Sequence, residues 1–290
     1  MNILVTGAGT LIGNTVSLYL SKYFKITSTY RYTYPNNLRK IKNIKIKRLD
    51  LDKKIILRDN FDILVHCASA IPDYRLSKKK LTNTNVVGFR KILKLIGGKK
   101  IKKIILLSSL SVYGKINSKK INEKTTINNP DFYGKTKLIM EKDLIEFSKK
   151  HNIDYSIFRL PGVIGLKSKH NFLSKLIYLI KSKNNYLNLF NPELRFNNLI
   201  HVQTLSNVIK QCIDNKKISG IFVLGSKRPV KIKYLMKNLN RFRKVKINYR
   251  NNHNGFNLDI SRAIKYKISL DFTKKMFLKF LNENLKSIKN

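Results

Sequence analysis

A chain of 290 residues with 42% hydrophobic content is long enough to bury one large α/β domain, or such a domain with a smaller lobe. Its apolar runs, such as Ile104–Ser108 and Ile221–Gly225, are strand-length and fall short of the roughly 18 apolar residues that a bilayer span needs, so no membrane segment is expected. Sixty basic against 16 acidic residues give a net charge of +44, but the lysines recur along the whole chain among isoleucines and asparagines; this spread points to compositional bias and against specific nucleic-acid binding.

In chain order, MNILVTG reads as a strand, Asn2–Thr6, entering a glycine turn. It has neither the basic n-region nor the small-residue cleavage site of a targeting peptide, and the expected compartment is the cytoplasm. A helical stretch from about Leu11 to Tyr23 and a strand at Lys25–Tyr30 complete a βαβ unit. Strands are expected at Ile44–Arg48, Ile63–Cys67, Ile104–Ser108 and Tyr155–Arg159, separated by helices such as Val86–Ile96 and Tyr133–Lys149. This alternation implies a parallel sheet wrapped by helices, a doubly wound α/β fold of the Rossmann kind. After Pro161 the rhythm changes to a helix at Phe172–Lys181, an irregular Asn-rich stretch, a helix near Val202–Asp214 and a strand at Gly220–Leu224. The expected organisation is a dinucleotide-binding core over 1–161, completed by about 199–225, with a small substrate-binding lobe from 162–198 and 226–290. Cys67 and Cys212 each lie in an apolar stretch and read as core thiols.

Thr6-Gly7-Ala8-Gly9-Thr10-Leu11-Ile12-Gly13 sits between a strand and an amphipathic helix, where a dinucleotide pyrophosphate needs bare backbone and a helix N-terminus. Gly7 makes the tight turn, Gly9 lets the backbone approach phosphate, and Gly13 lets helix and strand pack closely. Farther on, Leu107-Ser108-Ser109-Leu110-Ser111-Val112-Tyr113-Gly114 follows an apolar strand, and Tyr133-Gly134-Lys135-Thr136-Lys137 opens a helix just after Pro130. A spacing of four puts the Tyr133 phenol and the Lys137 ammonium on one helix face. A free tyrosine titrates near 10, so acting near neutral pH needs about 4 kcal/mol of added phenolate stabilisation. Lys137 and the positive ring of an oxidised nicotinamide are the expected sources. Tyr133 then exchanges a proton with a substrate oxygen while hydride moves to or from the nicotinamide.

Together these segments resemble the extended short-chain dehydrogenases/reductases, the family of nucleotide-sugar epimerases, dehydratases and reductases. TGAGTLIG is similar to the family's TGxxGxxG turn, except that the middle glycine falls on Thr10. The resemblance implies pyrophosphate contacts from Gly7, Gly9, Thr10, Leu11, Ile12 and Gly13, shifted toward Gly9 or shared with the Thr10 hydroxyl. LSSLSVYG resembles SSxxVYG and implies a catalytic hydroxyl at Ser109 that orients the reacting oxygen, with Ser111 near the substrate. YGKTKLIME resembles Y-G-x-[ST]-K-x-x-x-E, with Tyr133 and Lys137 catalytic and Glu141 structural. Asp50-Leu51 resembles the Asp-hydrophobic pair against the adenine, His66-Cys67-Ala68 the H-x-A strand end with Ala68 beside the cofactor, and Asn85 in NVVGFRKIL the N-V-x-G helix. Pro161, in FRLPGVIG, joins the implied cofactor contacts. Counterparts at Leu199–Ile209, Phe222–Ile232 and Leu258–Ile268 extend the resemblance over essentially the whole chain. Asn171 and Arg195 match places where such enzymes hold the nucleotide diphosphate. Two departures bear on the substrate: Gly162 stands where many sugar-nucleotide enzymes carry a diphosphate-binding asparagine, and HVQT replaces H-V-x-D.

In NAD-specific members an acid ends the second strand and binds the adenine ribose; this chain has Thr29-Tyr30-Arg31 there. A guanidinium at Arg31 accepts a 2′-phosphate, so NADP(H) is favoured over NAD(H), against the plainer reading of a solvated strand-end arginine. Dehydratases of the family place Thr-Asp-Glu where this chain has Ser109-Leu110-Ser111, which disfavours dehydration. The expected function is NADPH-dependent reduction of a 4-keto group on a nucleotide-activated sugar, and the alternative is NAD-dependent 4-epimerisation. A non-catalytic dinucleotide sensor or RNA-associated protein is the competing reading from another class, and the Ser109/Tyr133/Lys137 set argues against it. No metal ligands are assigned. The resemblance implies a homodimer formed through the helices at about Asn85–Ile96 and Tyr133–Lys149.

Overall fold

A computed structural model describes residues 1–72, 76–97, 100–182, 186–242, 244, 246–250 and 255–285. The chain opens with β1 (Asn2–Thr6), α1 (Leu11–Leu20), β2 (Lys25–Tyr30), β3 (Ile44–Arg48) and β4 (Ile63–His66). Next, α2 (Lys78–Thr82), a π-helical turn at Asn83–Val87 and α3 (Gly88–Ile96) follow one another without a break, and β5 (Lys103–Ser109) comes after them. The middle of the chain holds β6 (Lys120–Ile121), α4 (Phe132–His151), β7 (Asp154–Leu160), β8 (Gly162–Ile164), α5 (Phe172–Lys181), β9 (Tyr186–Phe190), β10 (Arg195–Phe196) and β11 (Leu199–His201). The last part holds α6 (Val202–Asp214), β12 (Gly220–Val223), β13 (Val230–Lys231), α7 (Ile232–Leu239), β14 (Lys246–Arg250), β15 (Asn257–Leu258), α8 (Ser261–Lys265) and α9 (Thr273–Leu285).

Seven strands form one sheet in the order β12-β7-β5-β4-β1-β2-β3. The registers linking β3, β2, β1, β4 and β5 are all parallel, with Leu4 beside both Thr27 and Leu64. The chain winds outward from β1 to β3 on one side and from β4 through β5 to β7 on the other. Carboxyl ends of β1 and β4 therefore flank the point where the winding reverses, the place at which such sheets bind ligands. The middles of β1, β4 and β5, Ile3–Val5, Ile63–Val65 and Ile104–Leu107, are continuously apolar because parallel strands are covered on both faces. Leu4, Leu64 and Leu106 pack with Phe89, Ile92, Leu93 and Ile96 of α3 and with Met140 and Leu144 of α4. Ile3, Val5, Val65 and Ile105 alternate with them and are equally buried. At the sheet edge, β3 reads Ile-Lys-Ile-Lys-Arg, and its lysines discourage pairing with another chain.

The helix ends follow from local chemistry. Asp131 caps α4, its Oδ1 accepting from the Gly134 N–H at 2.6 Å, so the helix starts one residue before Tyr133. It ends at Asn152, which adopts the left-handed conformation at φ +52°. Helix α1 stops at Leu20, three residues short of the expected end.

The chain divides into two compact units. One comprises 1–115, 126–159 and 205–222 and contains nearly all of the large sheet; the other comprises 116–125, 160–204 and 223–290. This differs from the expected division in that 116–125, 160–161, 199–204 and 223–225 group with the second unit. There β8 pairs with β11, β9 with β14, β10 with β13 and β6 with β15. The Asn-rich stretch expected to be irregular thus contains two strands, β9 and β10, whose partners lie far downstream.

Candidate active site

The glycine turn is dictated by the backbone around it. Gly7 has φ +82°, and a Cβ there would lie 2.9 Å from the Ala68 backbone; one at Gly13 would lie 2.3 Å from the Gly7 carbonyl oxygen. Gly9 is confined by its own chain, a Cβ falling 2.6 Å from the Thr33 carbonyl oxygen. Thr10, at the family's middle-glycine position, caps α1: its hydroxyl donates to the Gly7 carbonyl at 2.8 Å and accepts from the Gly13 N–H at 3.3 Å. Leu11 and Ile12, half-buried, form the first turn of the ten-residue helix behind it. Bare backbone followed by a capped helix N-terminus suits a dinucleotide pyrophosphate.

The strand ends beside this turn are tied together by Thr6. Its Oγ1 accepts from the N–H groups of Cys67 and Ala68, both at 3.1 Å, so its one proton goes to His66 Nδ1 at 3.0 Å. His66 is therefore the Nε2–H tautomer; it packs on Phe89 with ring centroids 4.7 Å apart, and burial pulls its pKa down to about 3. Cys67 as a residue is half-buried, and burial of its thiol pushes it up to about 12; Cys212 is fully buried.

At the second strand's end, Arg31 is engaged by two carboxylates. Its Nη2 donates to Asp52 Oδ2 at 2.5 Å, and its Nε lies 3.0 Å from Asp50 Oδ1 as an ion-pair contact. Its guanidinium carbon stands 4.4 Å from the centroid of the Tyr32 ring. Asp52 also takes a bond from Lys80 Nζ and one from the Thr84 hydroxyl at 2.7 Å. Burial alone would raise this carboxyl; the bonds from Lys80 and Thr84 and the charges of Arg31 and Lys80 outweigh it and hold the pKa below the usual aspartate value. Leu51 is buried beside Gly88, where a Cβ would meet Leu51 Cβ at 2.5 Å, so the Asp-Leu pair and the N-V-x-G helix pack as one piece. Asn85 is completely buried with its bonding capacity used inside the protein: Oδ1 accepts from Ala70 N–H at 2.7 Å and Ser69 Oγ at 3.1 Å, and Nδ2 donates to the Ala70 carbonyl at 3.0 Å and Thr136 Oγ1 at 3.1 Å.

The expected trio lies in this same unit. Ser109 ends β5, its Oγ accepting from the Ser111 N–H and donating to Ser111 Oγ, both at 3.1 Å. Gly134 lets the first turn of α4 settle on that segment, since a Cβ there would be 2.1 Å from the Ser111 carbonyl oxygen. This close approach brings the turn bearing Tyr133 to the serine segment. Lys137 is buried, its Nζ 5.8 Å from the Tyr133 ring centroid and donating to the Leu107 carbonyl at 3.0 Å. Burial pulls Lys137 down to about 8, opposed by the charges of Glu141 and Cys67. Tyr133 is pushed up to about 12 by burial, with a hydrogen bond to Ser69 pulling it down and the Asp131 charge raising it. The protein's own groups thus favour the neutral phenol, and the downward pull comes from Ser69 where Lys137 was expected.

Beneath the trio, Arg159 Nη2 donates to Glu141 Oε2 at 2.7 Å and its Nη1 to the Tyr113 hydroxyl at 3.0 Å, while Ser108 Oγ donates to Glu141 Oε1 at 2.5 Å. Both charged groups are buried, the arginine held charged by Glu141 against the cost of burial.

The second unit holds the other sequence candidates. Pro161 follows β7 directly. Asn171 caps α5, its Oδ1 accepting from the Ser174 N–H at 2.9 Å and its Nδ2 donating to the Val163 carbonyl at 3.1 Å. Its Cβ lies 3.1 Å from where a Cβ on Gly162 would be, so it occupies the space beside the missing asparagine. Arg195 begins β10 and is exposed. Thr204, in place of the usual aspartate of H-V-x-D, donates to Asp271 Oδ2 at 2.6 Å, and the neighbouring His201 Nε2 lies 3.1 Å from Glu283 Oε2. Sequence reasoning overlooked Ser69, Asp52 and Asp131. Ser69 directly follows the H-x-A segment and Asp52 the Asp-Leu pair, positions at which the motifs had already stopped. Among the described residues no helix is long and apolar enough to cross a membrane.

A doubly wound sheet with a glycine turn at its winding reversal, and Ser, Tyr and Lys on the neighbouring β5 and α4, is the arrangement of the short-chain dehydrogenase/reductase class. Residues 3–225 match the NAD dependent epimerase/dehydratase family, and the chain belongs to it. A UDP-glucose 4-epimerase of Lactobacillus helveticus is 30% identical over 120 residues, 41% of this chain and 36% of that protein. A putative UDP-glucose 4-epimerase of Methanocaldococcus jannaschii is 30% identical over 173 residues, 56% of each chain. The matches thus span about a third to just over half the length of these curated relatives. The structure of a UDP-glucuronic acid 4-epimerase from Bacillus cereus in complex with NAD has the same fold, with a TM-score of 0.86 over 100% of both chains at 21% identity.

Proposed function

We propose that this chain is a 4-epimerase of a nucleotide-activated sugar that works with tightly held NAD. The observation that carries the cofactor choice is the engagement of Arg31 by Asp50 and Asp52. The expected NADP preference required a guanidinium available to a 2′-phosphate. Here such a phosphate would be repelled by two carboxylates, whereas the hydroxyls of an adenine ribose without it could donate to them. With that preference goes the argument for net reduction, which draws on the NADPH pool. The relatives named 4-epimerases and the missing dehydratase acids point the same way.

Gly7, Gly9, Thr10 and Gly13 with the first turn of α1 would hold the pyrophosphate, and the Asp50-Leu51 segment and Ala68 would contact the rest of the dinucleotide. When bound, the nicotinamide supplies the hydride acceptor and then the hydride donor at C4, and in its oxidised form a positive charge. Tyr133 takes the proton of the C4 hydroxyl as the C–H bond opens and returns it as that bond closes on the opposite face. Ser109 turns its hydroxyl from Ser111 to the reacting oxygen and holds it. Lys137, fixed by the Leu107 carbonyl, keeps a positive charge beneath the Tyr133 ring. Asn171 and Arg195 remain the candidates for the diphosphate. The same reading includes a homodimer through α3 and α4, measurable by light scattering.

The test is direct. The purified protein is expected to retain NAD and to interconvert UDP-sugars at C4 with no net change in nicotinamide absorbance. Preferential binding of NADPH over NAD, with stoichiometric NADPH oxidation by a 4-keto sugar nucleotide, would establish the reductase instead.

A further inference from the structure

We propose that Ser69 is a positioning residue for Tyr133: its hydroxyl, aimed by the buried Asn85, donates to the tyrosine oxygen whenever that oxygen is a phenolate. The proposal rests on the reading of Tyr133 as the acid–base group. It arises from an unusual concentration of hydrogen bonds between two segments distant in sequence. Ser69 lies on the loop after β4, and Tyr133 in the first turn of α4. Asn85 ties them together, holding Ala70 through both its N–H and carbonyl and reaching Thr136 Oγ1, which donates in turn to the Tyr133 carbonyl at 2.8 Å. With every donor and acceptor of Asn85 so used, the loop cannot slide along the helix without breaking a buried bond.

Within this frame Ser69 Oγ lies 3.1 Å from Asn85 Oδ1 and 3.2 Å from the Ala70 carbonyl oxygen. Its single proton serves one of them at a time. Both acceptors have another donor, Asn85 Oδ1 receiving the Ala70 N–H and the Ala70 carbonyl receiving Asn85 Nδ2. The serine proton can therefore turn away from either without orphaning a buried acceptor. Ser69 also shares a hydrogen bond with the Tyr133 hydroxyl, one that favours the ionised form. While Tyr133 is neutral, its O–H donates to Ser69 Oγ and the serine proton rests on Asn85 or Ala70. When Tyr133 has given up its proton, the serine O–H rotates to the phenolate oxygen. No covalent bond changes at Ser69, and only a hydroxyl rotor moves. Of the neighbouring groups, Lys137 Nζ donates to the Leu107 carbonyl and Ser109 Oγ to Ser111 Oγ.

The measurement is the ultraviolet titration of the tyrosinate band in the NAD-loaded protein, read as the wild-type curve minus that of Tyr133→Phe so that the other tyrosines cancel. Ser69→Ala is expected to raise the Tyr133 midpoint by about one pH unit with NAD still bound. Ser69→Thr, which keeps the hydroxyl, is expected to restore it. An unchanged midpoint in Ser69→Ala, with the band still abolished by Tyr133→Phe, overturns the role of Ser69 and leaves Tyr133 in place. A titration near neutral pH that survives Tyr133→Phe overturns the reading of Tyr133 and the proposal with it.

Discussion

The Asp52 carboxylate joins three side chains, those of Arg31, Lys80 and Thr84, and so sets the charge at the end of the second strand. Replacing Asp52 by Asn removes one of the two carboxylates held against Arg31. The expected outcome is a gain of about tenfold in NADP affinity relative to NAD, equivalent to ~1.4 kcal/mol, measured by calorimetric titration of both cofactors. His66 offers a second residue-level expectation. Free histidine takes up its proton near 6.5, whereas the folded chain refuses it until about 3. The unfolded state thus binds more protons across that window, and stability falls as pH drops from the upper value to the lower, by about 1.4 kcal/mol for each pH unit. Urea midpoints at several pH values within the window measure the slope. His66→Gln, which does not titrate, should flatten it.

Among the elements, α4 carries the most varied duties: its first turn presents Tyr133, its second Lys137, and its third the Glu141 that pairs with Arg159 of β7. A buried pair of this kind is costly to break on one side only, because the remaining charge has nowhere to go. Glu141→Gln is expected to cost roughly 3–5 kcal/mol of stability, read as a lowered thermal midpoint, while an apolar replacement of both partners costs less. Most of these elements were legible in the sequence, since β1, β2, β3 and α5 match the expected spans and the glycine turn falls where the motif puts it. Strong local signals explain that success, namely continuous apolar runs and a helix opening after Pro130. By contrast, β9 and β10 exist only through partners more than thirty residues away, β14 and β13, and no local pattern announces them. Buried Lys103 shows the same limit. Its position at the start of β5 looks solvent-facing, yet its Nζ donates to the Cys212 and Ile218 carbonyls at 2.9 and 2.8 Å.

At the scale of the molecule the dominant quantity is charge. With 60 basic and 16 acidic residues, pairing such as Asp59 with Lys45 and Lys47, or Glu193 with Lys231 and Lys233, leaves most cations without a counter-charge of their own. Self-repulsion should therefore weaken as salt is added, and the thermal midpoint is expected to rise between about 10 mM and 150 mM monovalent salt as the screening length shortens from roughly 30 to 8 Å. A midpoint that fell would show that the specific pairs matter more than the field. Family membership and a nicotinamide dinucleotide were readable from the joined motifs, but the engagement of Arg31 by Asp50 and Asp52 was not. Arg31 looked available because the sequence shows which residues follow a strand and not which carboxylates fold back onto them.

Thr204 and Asp271 form another contact between positions distant in the sequence. Where the family's H-V-x-D carries a carboxylate, this helix carries the Thr204 hydroxyl, which donates to a carboxylate 67 residues later. The two sites therefore behave as a linked pair of letters: restoring aspartate at 204 alone sets two acids face to face, whereas exchanging both at once preserves the contact.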